Sequence, residues 1–277
     1  MHDVLVHAVG YRERDPTAAY AVRLAASLRA WLTAVHVPPA MPVVPDYEMT
    51  PVIAEYAAWV ERETRESTAA APEFEGWAAS MGVKQARWVV ADGQAAAVLR
   101  HAGRWHDLLV IGGGGKDAWE SEAGVAELVL SSGLPCLVVP RVAADAELPH
   151  ACIAVAWNGS AEAIGALHAA LPLLRFAGRV VMLSGKASAP AAGVVPFDLD
   201  GWAERHDLRI EYLMLGESGE SGERGGIGAA LLDAAAEVSA ELLVAGAYGR
   251  SRLAEWALGG VTRHLIRHST IPLLLRH

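Results

Sequence analysis

The chain has 277 residues, 53% of them hydrophobic and 20% charged, and a net charge of −9. That composition excludes a disordered chain, leaves room for one large domain or two ordinary ones, and argues against nucleic acid as a partner, which calls for a basic face. No apolar run reaches the roughly 18 residues of a membrane span, the opening "MHDVLVHAVG" is a poor secretory signal, and Cys136 and Cys152 fit no zinc spacing and read as reduced core thiols. A cytoplasmic protein without a membrane partner is expected.

In chain order, Val4–Val9 reads as a buried strand and Thr17–Trp31 has apolar residues at helical spacing. Thr33–Val37 is a second strand, and the proline-rich Val37–Pro51 must be an extended loop. A long helical region follows, with breaks expected at Pro72 and Gly76. Strand Arg87–Val90, helix Gln94–Ala102, strand Leu108–Ile111, helix Ala123–Ser131 and strand Cys136–Val139 complete the first unit. The same order recurs with a shorter second helix near Gly201–His206, and "GESGESGERGG" (Gly216–Gly226) reads as a mobile loop.

Three sequence pairs establish that recurrence. "DVLVHAVG" (Asp3–Gly10) matches "CIAVAWNG" (Cys152–Gly159), "DLLVIGGGG" (Asp107–Gly115) matches "ELLVAGAYG" (Glu241–Gly249), and "LPCLVVP" (Leu134–Pro140) matches "IPLLLRH" (Ile271–His277). They keep their order, so the chain is two copies of one unit joined near Arg141–His150. Buried strands alternating with helices argue a parallel sheet covered on both faces, and right-handed crossovers make each copy a doubly wound α/β domain.

Ligands of such sheets bind outside the carboxyl ends of the strands, where strand order reverses. Gly246 ends a buried strand there, and Gly260 opens the next helix. Between them lies a loop with Gly249 and Gly259. Bare backbone lets N–H groups approach a ligand, a helix N-terminus favours an anion, and Thr262 adds a hydroxyl in the first turn. A glycine-rich turn without a ligand is the competing reading. Charge separates the two copies. Ala245–His277 holds Arg250, Arg252, Arg263, Arg267 and Arg276 against Glu255, whereas Gly112–Pro140 holds Lys116 against Asp117, Glu120, Glu122 and Glu127. A phosphate site needs the positive potential that only the second copy carries.

These residues resemble the universal stress protein family, and the whole chain resembles its tandem members. The signature G-x2-G-x9-G-[S/T] is read at Gly246, Gly249 and Gly259, followed by Gly260, Val261 and Thr262; "NGS" (Asn158–Ser160) follows the opening strand and "STIPLLL" (Ser269–Leu275) matches the closing one. The resemblance implies an adenine nucleotide alpha hydrolase-like fold. That fold has two tandem domains, 1–143 and 150–277, each with a five-stranded parallel sheet and facing the other as an intramolecular pseudo-dimer. A homodimer is as open as a monomer. It further implies ATP or a related nucleotide, with or without Mg2+, in the second domain. Phosphate would lie on Gly246, Gly249, Arg250, Gly259, Gly260, Val261 and Thr262, with Asn158 at the base or sugar. Occupancy would regulate a stress response through an unidentified protein partner. Gly260 stands where the family has Ser or Thr, and Asn158 where it has Asp. The first copy departs further, with Gly112, Gly115 and Gly124 closing a shorter gap and Val9 in place of the acid, so it is expected to bind no nucleotide.

Other constellations carry less. His264 and His268 have a metal-compatible spacing but no carboxylate or cysteine partner, and Arg263 and Arg267 flank them. A helix face or a phosphate contact by His264 fits better. His101 and His106 read as a solvated helix end, Ser160 as a helix N-cap, and Trp157 and Trp256 as core aromatics. The G-x-S-x-G elbow of a hydrolase and the S-G-G-x-[DS] loop of an ATP pyrophosphatase are both absent, so no catalytic residue is assigned and any ATP hydrolysis would be slow. A nucleotide-free interaction module, in which Tyr47 lies in a contact loop, remains the alternative.

Overall fold

The computed structural model describes residues 1–11, 15–38, 50–113, 122–185, 199–216, 226–247 and 260–277. The first half runs β1 (Asp3–His7), α1 (Pro16–Leu28), β2 (Trp31–His36), α2 (Thr50–Ala69), α3 (Ala71–Ser80), β3 (Ala86–Val90), α4 (Ala95–Gly103), β4 (Leu108–Gly113), α5 (Glu122–Ser131) and β5 (Cys136–Pro140). The second runs β6 (Cys152–Trp157), α6 (Ala161–Leu174), β7 (Arg179–Ser184), α7 (Leu199–Arg205), β8 (Ile210–Met214), α8 (Gly226–Glu237), β9 (Leu242–Gly246), α9 (Gly260–His268) and β10 (Leu273–Arg276).

Local chemistry sets several boundaries. Asp15 caps α1 by accepting from Ala18 N–H, and Pro16 opens the helix where no donor is needed. The helix ends at Arg29 in the left-handed conformation, so Trp31 starts β2 and does not extend the helix. The strand expected to reach Val9 stops at His7: Ala8 N–H still donates to the Val35 carbonyl, but those of Val9 and Gly10 turn to the Asp15 side chain. Pro51 lies in the first turn of α2, where its missing N–H costs nothing, and not in a loop. The helical region divides at Ala70, before Pro72, while Gly76 sits inside α3.

The described strands form one ten-stranded sheet in the order β3-β2-β1-β4-β5-β10-β9-β6-β7-β8. All neighbours pair in parallel except β5 and β10, which pair antiparallel through Leu137 and Leu274. The chain is therefore two five-stranded doubly wound sheets fused edge to edge. The halves do not face one another; they lie side by side. The register repeats at residue level: Val4 pairs with Leu108 as Ile153 pairs with Leu242, and Leu109 pairs with Cys136 as Leu243 pairs with Leu273.

Strand alternation gives the sheet two buried faces. Val4, Val6, Leu137, Leu274, Val244 and Val155 lie in one core with Tyr20 and Leu24 of α1 and Leu167 of α6. Leu5, Cys136, Leu275, Leu243 and Ala154 lie in the other with Leu99 of α4, Leu128 of α5, Leu231 of α8 and Leu265 of α9. Both cores cross the β5–β10 joint without interruption. Arg276 donates to the Gly133 carbonyl, and Arg23 to that of Ala144, tying the halves and the connecting segment together. Among the described residues no helix is long and apolar enough to cross a membrane.

Candidate functional site

In each half strand order reverses between the first and fourth strands, so two crevices open at carboxyl ends: one between β1 and β4, one between β6 and β9. The antiparallel joint points the halves in opposite directions. The β6–β9 crevice thus lies on the rim where β1 and β4 begin.

The β6–β9 crevice gathers the described part of the expected site. Asn158 follows β6 directly and is exposed, and its Oδ1 accepts from Ser160 N–H at 3.0 Å. Gly159 takes φ +69°, a left-handed turn that suits glycine. Ser160 caps α6 as the sequence indicates, its hydroxyl accepting from Ala163 N–H at 3.2 Å. Gly246 ends β9 beside β6, as Ala156 pairs with Ala245. Its bareness has a steric cause: a Cβ there would stand 2.6 Å from Ala163 N and 2.6 Å from the Glu162 carbonyl carbon. Gly112 repeats the arrangement, where a Cβ would stand 2.9 Å from Thr17 Oγ1 of α1. These glycines let the first turn of a helix lie close against a strand.

Gly260 opens α9; among the described residues, its chain neighbours and its own helix backbone apart, no heavy atom lies within 4 Å of the place a Cβ would take, Val261 is half-buried, and Thr262 is buried. Gly249, Arg250 and Gly259 fall outside the described residues, as do Arg252, Trp256 and Tyr47. On α9, Arg263 and Arg267 are exposed, and no acidic residue occurs in the helix. His264 packs against α8, where a Cβ on Gly228 would stand 2.8 Å from its own Cβ. Burial, then His268 and Arg267, hold its imidazole pKa below the usual value. Its ring lies 4.4 Å from that of His268, and no group of three potential ligands for a metal ion occurs among the described residues. Arg276 and His277 are engaged elsewhere, the first with Gly133 and the second through Nδ1 with the Ala247 carbonyl at 3.1 Å. Trp157 is half-buried against the core, His101 is exposed, and His106 Nδ1 lies 2.8 Å from the Ala102 carbonyl.

The β1–β4 crevice is filled differently. Asp15 Oδ2 accepts from Val9 N–H at 2.9 Å and Gly10 N–H at 3.4 Å, while Oδ1 accepts from Ala18 N–H at 2.9 Å. The chain's own carboxylate takes the donors at that strand end. Nearby, His36 stacks on Trp88 and meets Tyr11 edge-on, and its Nδ1 lies 2.9 Å from the Ala8 carbonyl. His7 is buried, and burial followed by the nearby His36 lowers its pKa to about 3. "DPT" (Asp15–Thr17) announces a helix start, but nothing in it tells that the cap also holds Val9 and Gly10. Cys136 and Cys152 are buried free thiols, as expected, and burial raises Cys136 to about 11.

Comparison with known proteins agrees with the geometry. Residues 152–277 match the model of the universal stress protein family. A universal stress protein from Archaeoglobus fulgidus DSM 4304 superposes with a TM-score of 0.60 at 16% identity, covering 99% of this chain and 95% of that one. A protein of unknown function from Pseudomonas aeruginosa PAO1 superposes at 0.57 and 10% identity, covering 100% and 92%. At such identities these likenesses establish the fold alone. No curated protein matches the chain. The second half of the chain is thus a universal stress protein domain, and the first half repeats its fold.

Proposed function

We infer that the second half binds ATP or a related nucleotide in the β6–β9 crevice. Its phosphates would lie at the start of α9 and its sugar and base toward Asn158. Occupancy would bias an interaction with another protein in a stress response. One observation carries the reading: the switch point brings Asn158 and Gly246 to the same crevice, beside a helix whose charged side chains are all basic. A partial positive charge at a helix N-terminus, with no carboxylate on that helix to cancel it, favours an anion. The nucleotide-free interaction module also has an observation in its favour, since close helix–strand packing is reason enough for Gly246.

Gly260→Glu separates the two. Among the described residues the position is open and its φ is not left-handed, so a side chain fits, and the new carboxylate would set a negative charge at the start of α9, where the phosphate is proposed to lie. Calorimetric titration with ATP and Mg2+ is expected to give saturable heat with the parent chain and none with Gly260→Glu at unchanged melting temperature. No heat and no thermal shift for the parent at millimolar ATP would reject the nucleotide reading. A ligand at 100 times its dissociation constant stabilises by about 2.7 kcal/mol, which such a scan resolves.

A further inference from the structure

Two tryptophans stand exposed on the rim where the strands of the first half begin. Trp31 opens β2 and is 54% exposed, and Trp105 follows the end of α4 and is 78% exposed. Backbone hydrogen bonds set their segments in one row: Trp31 N–H donates to the His2 carbonyl at 2.7 Å, and Asp107 N–H to that of Asp3 at 2.8 Å. Both belong to the same side of the sheet. Trp31 shares a strand face with Val35, which lies in the core with Leu99 of α4, and Trp105 lies two residues beyond that helix. Neither core of the chain uses the exposed parts of these indoles. The fold does not call for an aromatic there: in the common register the place of Trp31 falls to Arg179, which pairs with Glu211 at 2.7 Å.

The charge around the indoles is mainly positive. Arg29 and Lys84, in the turns before β2 and β3, are exposed, as are Arg87, which pairs with Thr33, and Arg104, beside Trp105. Among the described residues none of the four has an ion-pair partner. Against them stand Asp3, half-buried, and Asp107, whose carboxylate accepts from the N–H groups of His2 and Asp3. A chain of net charge −9 thus turns a basic, aromatic edge outward. Its complement must offer negative charge and an apolar medium together. A second copy docked through the same rim would set these cations against one another. A ring as exposed as Trp105 stands proud of the surface and forms no groove for a peptide. It suits a surface that yields. Anionic lipid has both properties, since its phosphates attract Lys and Arg and its interface accommodates indoles. Such a contact needs no spanning helix, so the expectation of no membrane partner, drawn from the lack of a spanning run, does not bear on it.

We propose that this rim binds the surface of an anionic lipid bilayer, with Trp31 and Trp105 entering the headgroup region and Arg29, Lys84, Arg87 and Arg104 meeting lipid phosphates. The contact does not depend on the nucleotide reading. The test is cosedimentation of the full chain with vesicles of phosphatidylcholine alone and of phosphatidylcholine and phosphatidylglycerol in equal parts. Each basic side chain near an anionic surface contributes roughly fivefold, so partition is expected to be at least about tenfold stronger on the anionic vesicles. Lys84→Gln with Arg104→Gln should weaken it by about twentyfold. Trp105→Ser, at an exposed position and hence at unchanged melting temperature, should weaken it severalfold. No sedimentation with anionic vesicles, equal partition onto neutral ones, or a partition unmoved by either variant would overturn the proposal. So would binding of polyglutamate without binding of vesicles, which would assign the rim to an acidic protein segment. A dimer in sedimentation velocity that Trp105→Ser dissolves would assign it to a second copy and overturn it equally.

Discussion

His150 sits where the connecting segment enters the second half, 3% exposed, with its Nε2 2.8 Å from the Tyr20 hydroxyl of α1. Burial raises the Tyr20 pKa, so the phenol keeps its proton and donates to a neutral ring. The same burial lowers His150 to about 4, and His7 lies lower still, at about 3. Glu241, with Oε2 3.8 Å from His150 Nδ1, and Arg23, over the Tyr20 ring, are the charged groups beside this contact. A histidine whose folded pKa is depressed stays neutral in the native state while the unfolded chain already takes up protons. Stability is therefore complete above the unfolded value of about 6.5 and falls as pH drops toward 4 and 3. Urea unfolding is expected to show a loss between pH 7 and pH 4.5 to which His150 contributes on the order of 2 kcal/mol. His150→Gln, which retains an acceptor for Tyr20 and does not titrate, should lose less by about that amount. An identical pH slope in parent and variant would show that His150 is not neutral in the fold. This contact was not legible in the sequence, because 130 residues separate its partners and neither lies in a motif.

At the scale of elements, the packing of α6 on β9 turns on Gly246. A methyl group there would stand 2.6 Å from α6 backbone atoms, which cannot swing aside as a side chain can. Gly246→Ala is expected to destabilise by roughly 1–3 kcal/mol, the usual cost of overpacking. Gly260→Ala, in open space with helical backbone, should be neutral or stabilise by about 0.5–1 kcal/mol. Denaturant midpoints of the two variants measure the difference, and equal midpoints would mean that α6 has room to move. Gly246, a signature glycine, and Gly260, at the signature's Ser/Thr position, are thus bare for different reasons. Their spacing was legible, since glycine in a regular element is conspicuous, but the cause at Gly246 lies in Glu162 and Ala163, more than 80 residues upstream. The parallel sheet of each half was readable because continuous apolar strands such as Leu108–Ile111 have to be buried on both faces. The edge-to-edge joint was not. Leu137 and Leu274 look like any buried strand residues, and only their pairing fixes the antiparallel sense.

Across the whole molecule, that joint places the two crevices on opposite rims, where each meets its own electrostatic surroundings. The segment after β4 holds Lys116 against four acidic residues, and Asp15 already fills the backbone donors of that crevice. An incoming phosphate would have to displace a carboxylate bound by three N–H groups and approach a net negative loop. The segment after β9 holds Arg250, Arg252, Arg263 and Arg267 against Glu255, and the N–H groups of Asn158 and Gly159 beside it have no described protein acceptor. Attraction on one rim and repulsion on the other do not cancel, because the screening length is about 8 Å at physiological salt and the rims lie at opposite ends of the strands. Nucleotide titration is therefore expected to saturate at one ligand per chain, although the fold supplies two crevices. Affinity should fall as salt rises from 0.05 to about 0.5 M, since arginines, the exposed Arg263 and Arg267 of α9 among them, provide the attraction. A stoichiometry of two would mean that Asp15 gives way to ligand. One site with salt-independent affinity would mean that backbone donors, and not the arginines, hold the anion.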